Sequence, residues 1–217
     1  MKSIPEINFQ PSVSDTAAEI ELIDLSDLYD RRTRLEHDPC SPHRLGFHIL
    51  LFIEKGKGRH FIDFQHYPFE EGNIFFIRKE QIHAFDFEQR LSGTAILFTD
   101  QFVEQMQSNM RAPWTMPPCS LFTPDSAFKV SYSALLQEMR KEEKRPQRDA
   151  LIIMFLFSSI LLMLSRAAHL DLNDNPPEHH RRTYNSFHAL LTKTYTESRD
   201  AKRYAEQLHI TYTTLNN

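Results

Sequence analysis

The chain has 217 residues, a formal net charge of −4, 41% hydrophobic and 25% charged residues. That is long enough to bury a core without disulfides or metals, and too ordinary in composition for a collagenous, disordered or disulfide-scaffold protein. Five glycines leave little material for a glycine-rich phosphate loop, and the negative balance argues against whole-surface attraction to nucleic acid while leaving room for a local basic face.

Cys40 and Cys119 lie far apart and suit a reducing compartment. The N-terminus, from Met1 to Glu6, lacks the apolar run of a signal peptide, so a cytoplasmic location is expected. Residues 1–18, with Pro5 and Pro11, read as a polar arm. From Glu19 onward short apolar runs alternate with turn signals. The spacing predicts strands at Glu19–Leu25, Phe47–Ile53, Arg59–Phe64, Asn73–Ile77, His83–Glu88 and Gly93–Phe98. Glycines at 56, 58 and 72 mark two turns where the backbone is expected to need positive φ. Six short strands in about 80 residues suggest a sandwich or barrel.

After Asp100, read as a helix cap, the pattern changes to helices. One short helix runs to Met106, and a proline-rich loop follows. Asp125 then opens a helix with Phe128, Tyr132, Leu135, Leu136 and Met139 along one side. A long helix spans about Arg148 to His169. Its run from Leu151 to Leu164 is 14 residues, short of the roughly 20 needed to cross a bilayer, and Ser158 and Ser159 interrupt it. It is read as a buried helix without a membrane role. Being apolar all round, it needs cover on a second side, and a two-fold copy is the simplest cover. Leu151, Phe155, Ser158 and Leu162 are the expected dimer contacts.

Residues 171–183 read as a linker, with Pro176 and Pro177 among turn residues and a solvated run at His179–Arg182. Beyond it a helix carries Phe187, Leu190 and Leu191. In the final segment Ala201, Tyr204, Ala205 and Leu208 share one helix face, His209-Ile210 makes a turn, and Thr211 is placed to cap a second helix. This is the pattern of a helix-turn-helix or of an ordinary helical hairpin. In the first case Thr211, Tyr212, Thr213 and Asn216 would face DNA.

Two stretches resemble one family. Tyr184–Asn217 resembles the opening of the DNA-binding domain of AraC-type transcription regulators, about its first third. Residues 42–88 resemble the cupin-like sensing domain of the same family, through Pro42-His43-Arg44, Gly56-Lys57-Gly58, Gly72–Ile77 and His83. The resemblance implies an α+β chain: an arm (1–18), a cupin-like β-barrel (19–124), a helical dimerisation element (125–170), a linker (171–183) and an incomplete helix-turn-helix domain (184–217). A recognition helix of about six residues cannot hold itself without packing partners, so poor packing is expected after about Asp171.

Cupin enzymes hold a metal with two histidines and a carboxylate from a first motif and a histidine from a second. Here His43 and His83 match, whereas Leu45 and the region of Ile49 are apolar, so neither a metal nor another cofactor is expected. Strand alternation sends His43, Leu45, Phe47, Ile49, Leu51 and Ile53 to one side, with His83, Phe85 and Phe87 on a later strand. His43, Arg44, Phe47, Ile49, His83 and Phe85 form the expected effector site, or else a filled core. His48, His60 and His66 are read as surface or alternating-face residues. The function expected is an effector-sensing, dimeric, non-enzymatic regulator that binds promoter DNA in its full-length form. The alternatives are a metal-dependent cupin enzyme and a dimerisation-only fragment.

Overall fold

The computed structural model describes residues 4–10, 19–31, 38–63, 65–87, 89–111, 114, 120–171, 183, 186, 187, 190, 191, 194 and 200–216. The chain divides into two compact units, residues 1–171 and 172–217.

Among the described residues the first unit holds ten strands: β1 (Glu6–Ile7), β2 (Ile20–Asp24), β3 (His43–Leu45), β4 (His48–Lys55), β5 (Gly58–Ile62), β6 (Gln65–Phe69), β7 (Ile74–Ile77), β8 (Ile82–Phe87), β9 (Ser92–Phe98) and β10 (Leu121–Phe122). They form two five-stranded sheets, ordered β1-β3-β8-β5-β6 and β10-β7-β4-β9-β2. All pairings are antiparallel except β1 with β3. The six expected strands are all present. The sequence reading missed β1, β3, β6 and β10, together with helix α1 (Leu25–Arg31). Two-residue strands carry no periodicity to detect, and Glu6–Ile7 lies inside what reads as a polar arm.

The apolar pattern follows from the layers. One core cluster lies between the sheets and includes Leu45, Phe47, Ile49, Leu51, Ile53, Ile62, Phe69, Phe75, Ile77 and Phe85. A second lies on the opposite face of the β4 sheet, where Leu50, Phe52, Ile74, Phe76, Ile96 and Phe98 meet the helices. Strands β4 and β7 are therefore buried on both faces, which explains their unbroken apolar runs.

Two of the turn glycines behave differently. Gly56 takes φ 112° between β4 and β5. Gly58 does not need positive φ; a β-carbon there would meet the Asp86 carbonyl oxygen at 2.7 Å, so close approach of β8 is its constraint.

Helices α2 (Asp100–Met110), α3 (Ser126–Glu143) and α4 (Ala150–Asp171) cover the second sheet. The cap of α2 is Thr99, whose hydroxyl accepts the Phe102 N–H, and not Asp100, which begins the helix and uses its carboxylate elsewhere. Asp125 caps α3 as expected, accepting the Phe128 N–H at 2.7 Å. Tyr132, Leu136 and Met139 carry α3 into the core.

Helix α4 has 22 residues and is long and apolar enough, by length and composition alone, to cross a membrane. Yet Ile153, Phe157, Ile160, Leu161 and Leu164 are sealed in the core of the first unit. Leu151, Ile152, Phe155 and Leu162 remain 57%, 42%, 52% and 47% exposed along its other side. Ser158 shares that side by helical spacing yet is buried, and its hydroxyl donates to the Met154 carbonyl. Ile152 stands on the exposed stripe instead.

In the second unit residues 183, 186, 187, 190, 191 and 194 are helical. Helix α5 (Ala201–Gln207) is capped by Asp200, which accepts the Lys202 N–H, and α6 spans Tyr212–Asn216. Tyr204 and Ala205 are buried, with the Tyr204 ring edge-on to Phe187 at 5.7 Å. The linker residues 172–182 lie outside the described residues.

Candidate functional site

The inner face of the first sheet gathers histidines. Strand β3 sets His43 opposite His83 of β8, and β5 sets His60 opposite Phe85 of β8. Alternation turns all four side chains inward. His43, His60 and His83 are 3%, 0% and 1% exposed. The rings of His43 and His83 lie 4.2 Å apart between centroids, and His60 Nε2 is 3.0 Å from His83 Nδ1. His60 also stacks on Phe85 at 4.1 Å and meets the edge of Phe75 at 4.8 Å. His43 Nδ1 donates to the Ser41 carbonyl at 2.9 Å, which fixes its tautomer and ring plane.

Of the expected effector residues, His43, Phe47, Ile49, His83 and Phe85 share this interior. Phe9 joins them from the N-terminal segment, edge-on to Phe47 at 5.7 Å. Arg44 does not. The same alternation turns it away from His43, toward Glu80, 3.8 Å off. The Phe87 side chain lies outside the described residues.

His60 corrects the surface reading. Its sequence neighbourhood, Gly58-Arg59-His60-Phe61, gives no sign of burial because Arg59 and Phe61 alternate to the other face. The period-2 pattern of Gly58, His60 and Ile62 is the signal that could have found it. Burial, and after it the charge of nearby His43, holds the His60 imidazole well below its usual range, at about 3.

His48 is also buried rather than superficial. The Lys79 N–H donates to its Nδ1 at 2.9 Å, so the proton sits on Nε2, which donates to Asp100 at 2.9 Å. Lys79 Nζ reaches the other Asp100 oxygen at 2.9 Å. The hydrogen bond from His48, and then that from Lys79, holds the Asp100 carboxyl far below the usual carboxylate range. His66, by contrast, is exposed.

The interior does not fit a cupin metal centre. Leu45 and Ile49, which stand where two ligands would be needed, are core residues. Among the described residues no three His, Cys, Asp or Glu side chains converge as a metal would require. The interior is apolar and aromatic, with the three imidazoles gathered on its β3–β8–β5 side.

In the second unit, Thr211 Oγ1 accepts the Thr214 N–H at 3.0 Å and so caps α6. The turn before it is closed by the Ile210 N–H on the Ala205 carbonyl, with His209 at φ 54°. Thr211, Tyr212 and Thr213 are exposed. The Asn216 side chain lies outside the described residues.

A two-sheet, cupin-like domain with a closed interior and a helical cover defines a ligand-binding module. The family described as the AraC-like ligand binding domain matches residues 28–158. The chain belongs to that family. No curated protein matches it. Among solved structures it is similar to ToxT from Vibrio cholerae, at 10% identity over 80% of this chain and 66% of that one, TM-score 0.42. A ToxT structure described as bound to an unsaturated fatty acid matches at 10% identity over 91% of this chain and 70% of that one, TM-score 0.43. The AraC-like transcriptional activator CuxR matches at 12% identity over 84% of this chain and 62% of that one, TM-score 0.39. The chain thus spans about two thirds of the length of these proteins.

Proposed function

We propose that this protein is a non-enzymatic transcription regulator that senses a small molecule between its two sheets and acts as a dimer on promoter DNA. The observation that carries the reading is the pairing of an AraC-like ligand-binding domain with a separate unit containing the α5–turn–α6 hairpin. A capped helix, a closed turn and a second capped helix with outward Thr211, Tyr212 and Thr213 suit DNA contact. The reading places the protein in the cytoplasm, where its target DNA would be.

The effector site comprises His43, Phe47, Ile49, His83 and Phe85, with His60 added and Arg44 removed. The apolar walls suit a small ligand of apolar or aromatic character. The exposed stripe Leu151, Ile152, Phe155 and Leu162 on α4 is the dimer contact, since four large apolar side chains in line are poorly placed in water. Effector binding would act by linkage, favouring one arrangement of the dimer on two half-sites over another.

The test is fluorescence anisotropy on the DNA upstream of the gene, using the product of the whole reading frame. Salt-dependent binding at nanomolar to micromolar concentration, weakened for Thr213→Ala, supports the reading. Binding no tighter than to unrelated DNA of equal length rejects it.

A further inference from the structure

His83 lies between His43 and His60 in contact with both, on three neighbouring strands and nearly sealed from water. Among the described residues the groups facing His60 come from four strands. β3 brings His43, β8 brings His83 and Phe85, and β7 brings Phe75. β6 brings Tyr67, opposite His60, with its hydroxyl donating to Gln65 at 2.6 Å. The charged neighbours on β5 and β8, Arg59 and Asp86, are on the outer face and bond to each other. Glu6 of β1 and Glu80 beyond β7 are exposed, beside Arg44 on that same outer side. The two influences on His60, burial and His43, both oppose its protonation. A proton on any of the rings would place a charge, out of reach of water, against other imidazoles.

The edge that shields the cluster is slight. Among the described residues β5 and β8 pair along five residues, whereas β3 meets β8 at His43 and Arg44, helped by the Glu80 N–H on the Leu45 carbonyl and the Phe85 N–H on the Pro39 carbonyl, and β1 meets β3 at Arg44 and Leu45. The β1–β3 link is made by the Arg44 N–H on the Pro5 carbonyl at 2.9 Å and the Gly46 N–H on the Ile7 carbonyl at 2.8 Å. Lifting β1 and β3 would draw Leu45 out from between the sheets and bring His43 and His83 to water, while the second sheet keeps its own helix-covered core.

We propose that the histidine cluster makes this edge acid-labile: mild acid releases β1 and β3 from β8 and opens the interior, with the rest of the domain still folded. An imidazole in water titrates near 6.5, so each histidine exposed by opening draws protons into the open state below that pH. Between pH 7.5 and 5.5 the opening constant then rises about tenfold for each histidine released. The inference concerns the domain itself and holds with or without an effector.

Amide hydrogen exchange on the chain, corrected for intrinsic rates, tests it. Between pH 7.5 and 5.5 the protection of the Arg44 and Gly46 amides is expected to fall at least tenfold. That of Ile53, bonded to the Asn73 carbonyl, and of Phe76, bonded to the Ser120 carbonyl, is expected to hold. His43→Phe/His83→Phe is expected to abolish the drop. If that variant shows no protection at Ile53, His43→Gln takes its place and is expected to shrink the drop about tenfold. Exposed His66→Gln is expected to leave it unchanged. Constant protection at Arg44 and Gly46, loss in step with Ile53 and Phe76, or a drop that survives removal of the histidines overturns the proposal.

Discussion

His60 Nε2 lies 3.0 Å from His83 Nδ1, across two adjacent strands and with both rings all but inaccessible. The pair ties β5 to β8 by side chains as well as by the backbone ladder. It also makes the domain sensitive to protons.

His60 is held neutral in the folded chain, down to about pH 3, and titrates near 6.5 when unfolded. The unfolded state therefore binds more protons between those values. The stability this group contributes is complete above about pH 6.5 and is lost as pH falls through the window below it, by at most roughly 1.4 kcal/mol per pH unit. Urea unfolding at pH 7, 6 and 5 should show that slope. His60→Phe, which keeps an aromatic ring between Phe75 and Phe85, should flatten it.

The His48–Asp100–Lys79 group joins β4, the β7–β8 connection and the start of α2. Asp100→Ala leaves the buried His48 Nε2–H without its acceptor, at a cost of about 1–2 kcal/mol. His48→Ala should cost more, because it also strands the Lys79 N–H and leaves a gap beside Phe76 and Phe98. Midpoints of chemical unfolding would rank the two; a smaller loss for His48→Ala contradicts this account.

Phe157 of α4 is fully buried, with ring centroids 5.1 Å from Phe98 and 5.4 Å from Phe102. It fastens the helical layer to the second sheet. Phe157→Ala should destabilise by about 3–5 kcal/mol, seen as a large fall in Tm. Phe155→Ala, two residues before it on the exposed side, should change stability of the monomer by well under 1 kcal/mol.

That contrast separates folding from assembly. Phe155→Glu with Leu162→Glu should leave circular dichroism unchanged and shift sedimentation from dimer to monomer. A wild-type chain that is already monomeric at tens of micromolar removes the dimer from the proposed function.

Gly93 opposes Ile53 in the β4–β9 pair, beside an irregularity in register. It takes φ 155°, and a β-carbon there would stand 1.9 Å from the Phe52 carbonyl oxygen. Because the obstacle is backbone in a doubly buried strand, Gly93→Ala should cost at least about 2 kcal/mol, read from the urea midpoint.

The six longer strands, the α3 cap at Asp125 and the burial of α4 were legible in the chain because each is a local pattern: alternation, a capping residue, an apolar run. The inward set from His43 through Ile53 was legible for the same reason. Which polar residues belong to the interior was not. His60 and His48 look like any strand histidine until β5 is laid beside β8 and the helices close over the second sheet. Arg44 looked well placed by position, yet one residue along a strand changes the face a side chain meets, and Ser158, three residues from Phe155 and on the same side of the helix by spacing, is buried all the same. Periodicity by itself determined the longer elements and their order along the chain. Only the tertiary structure decided which side of each layer faces water, because burial depends on what another part of the chain brings to that face.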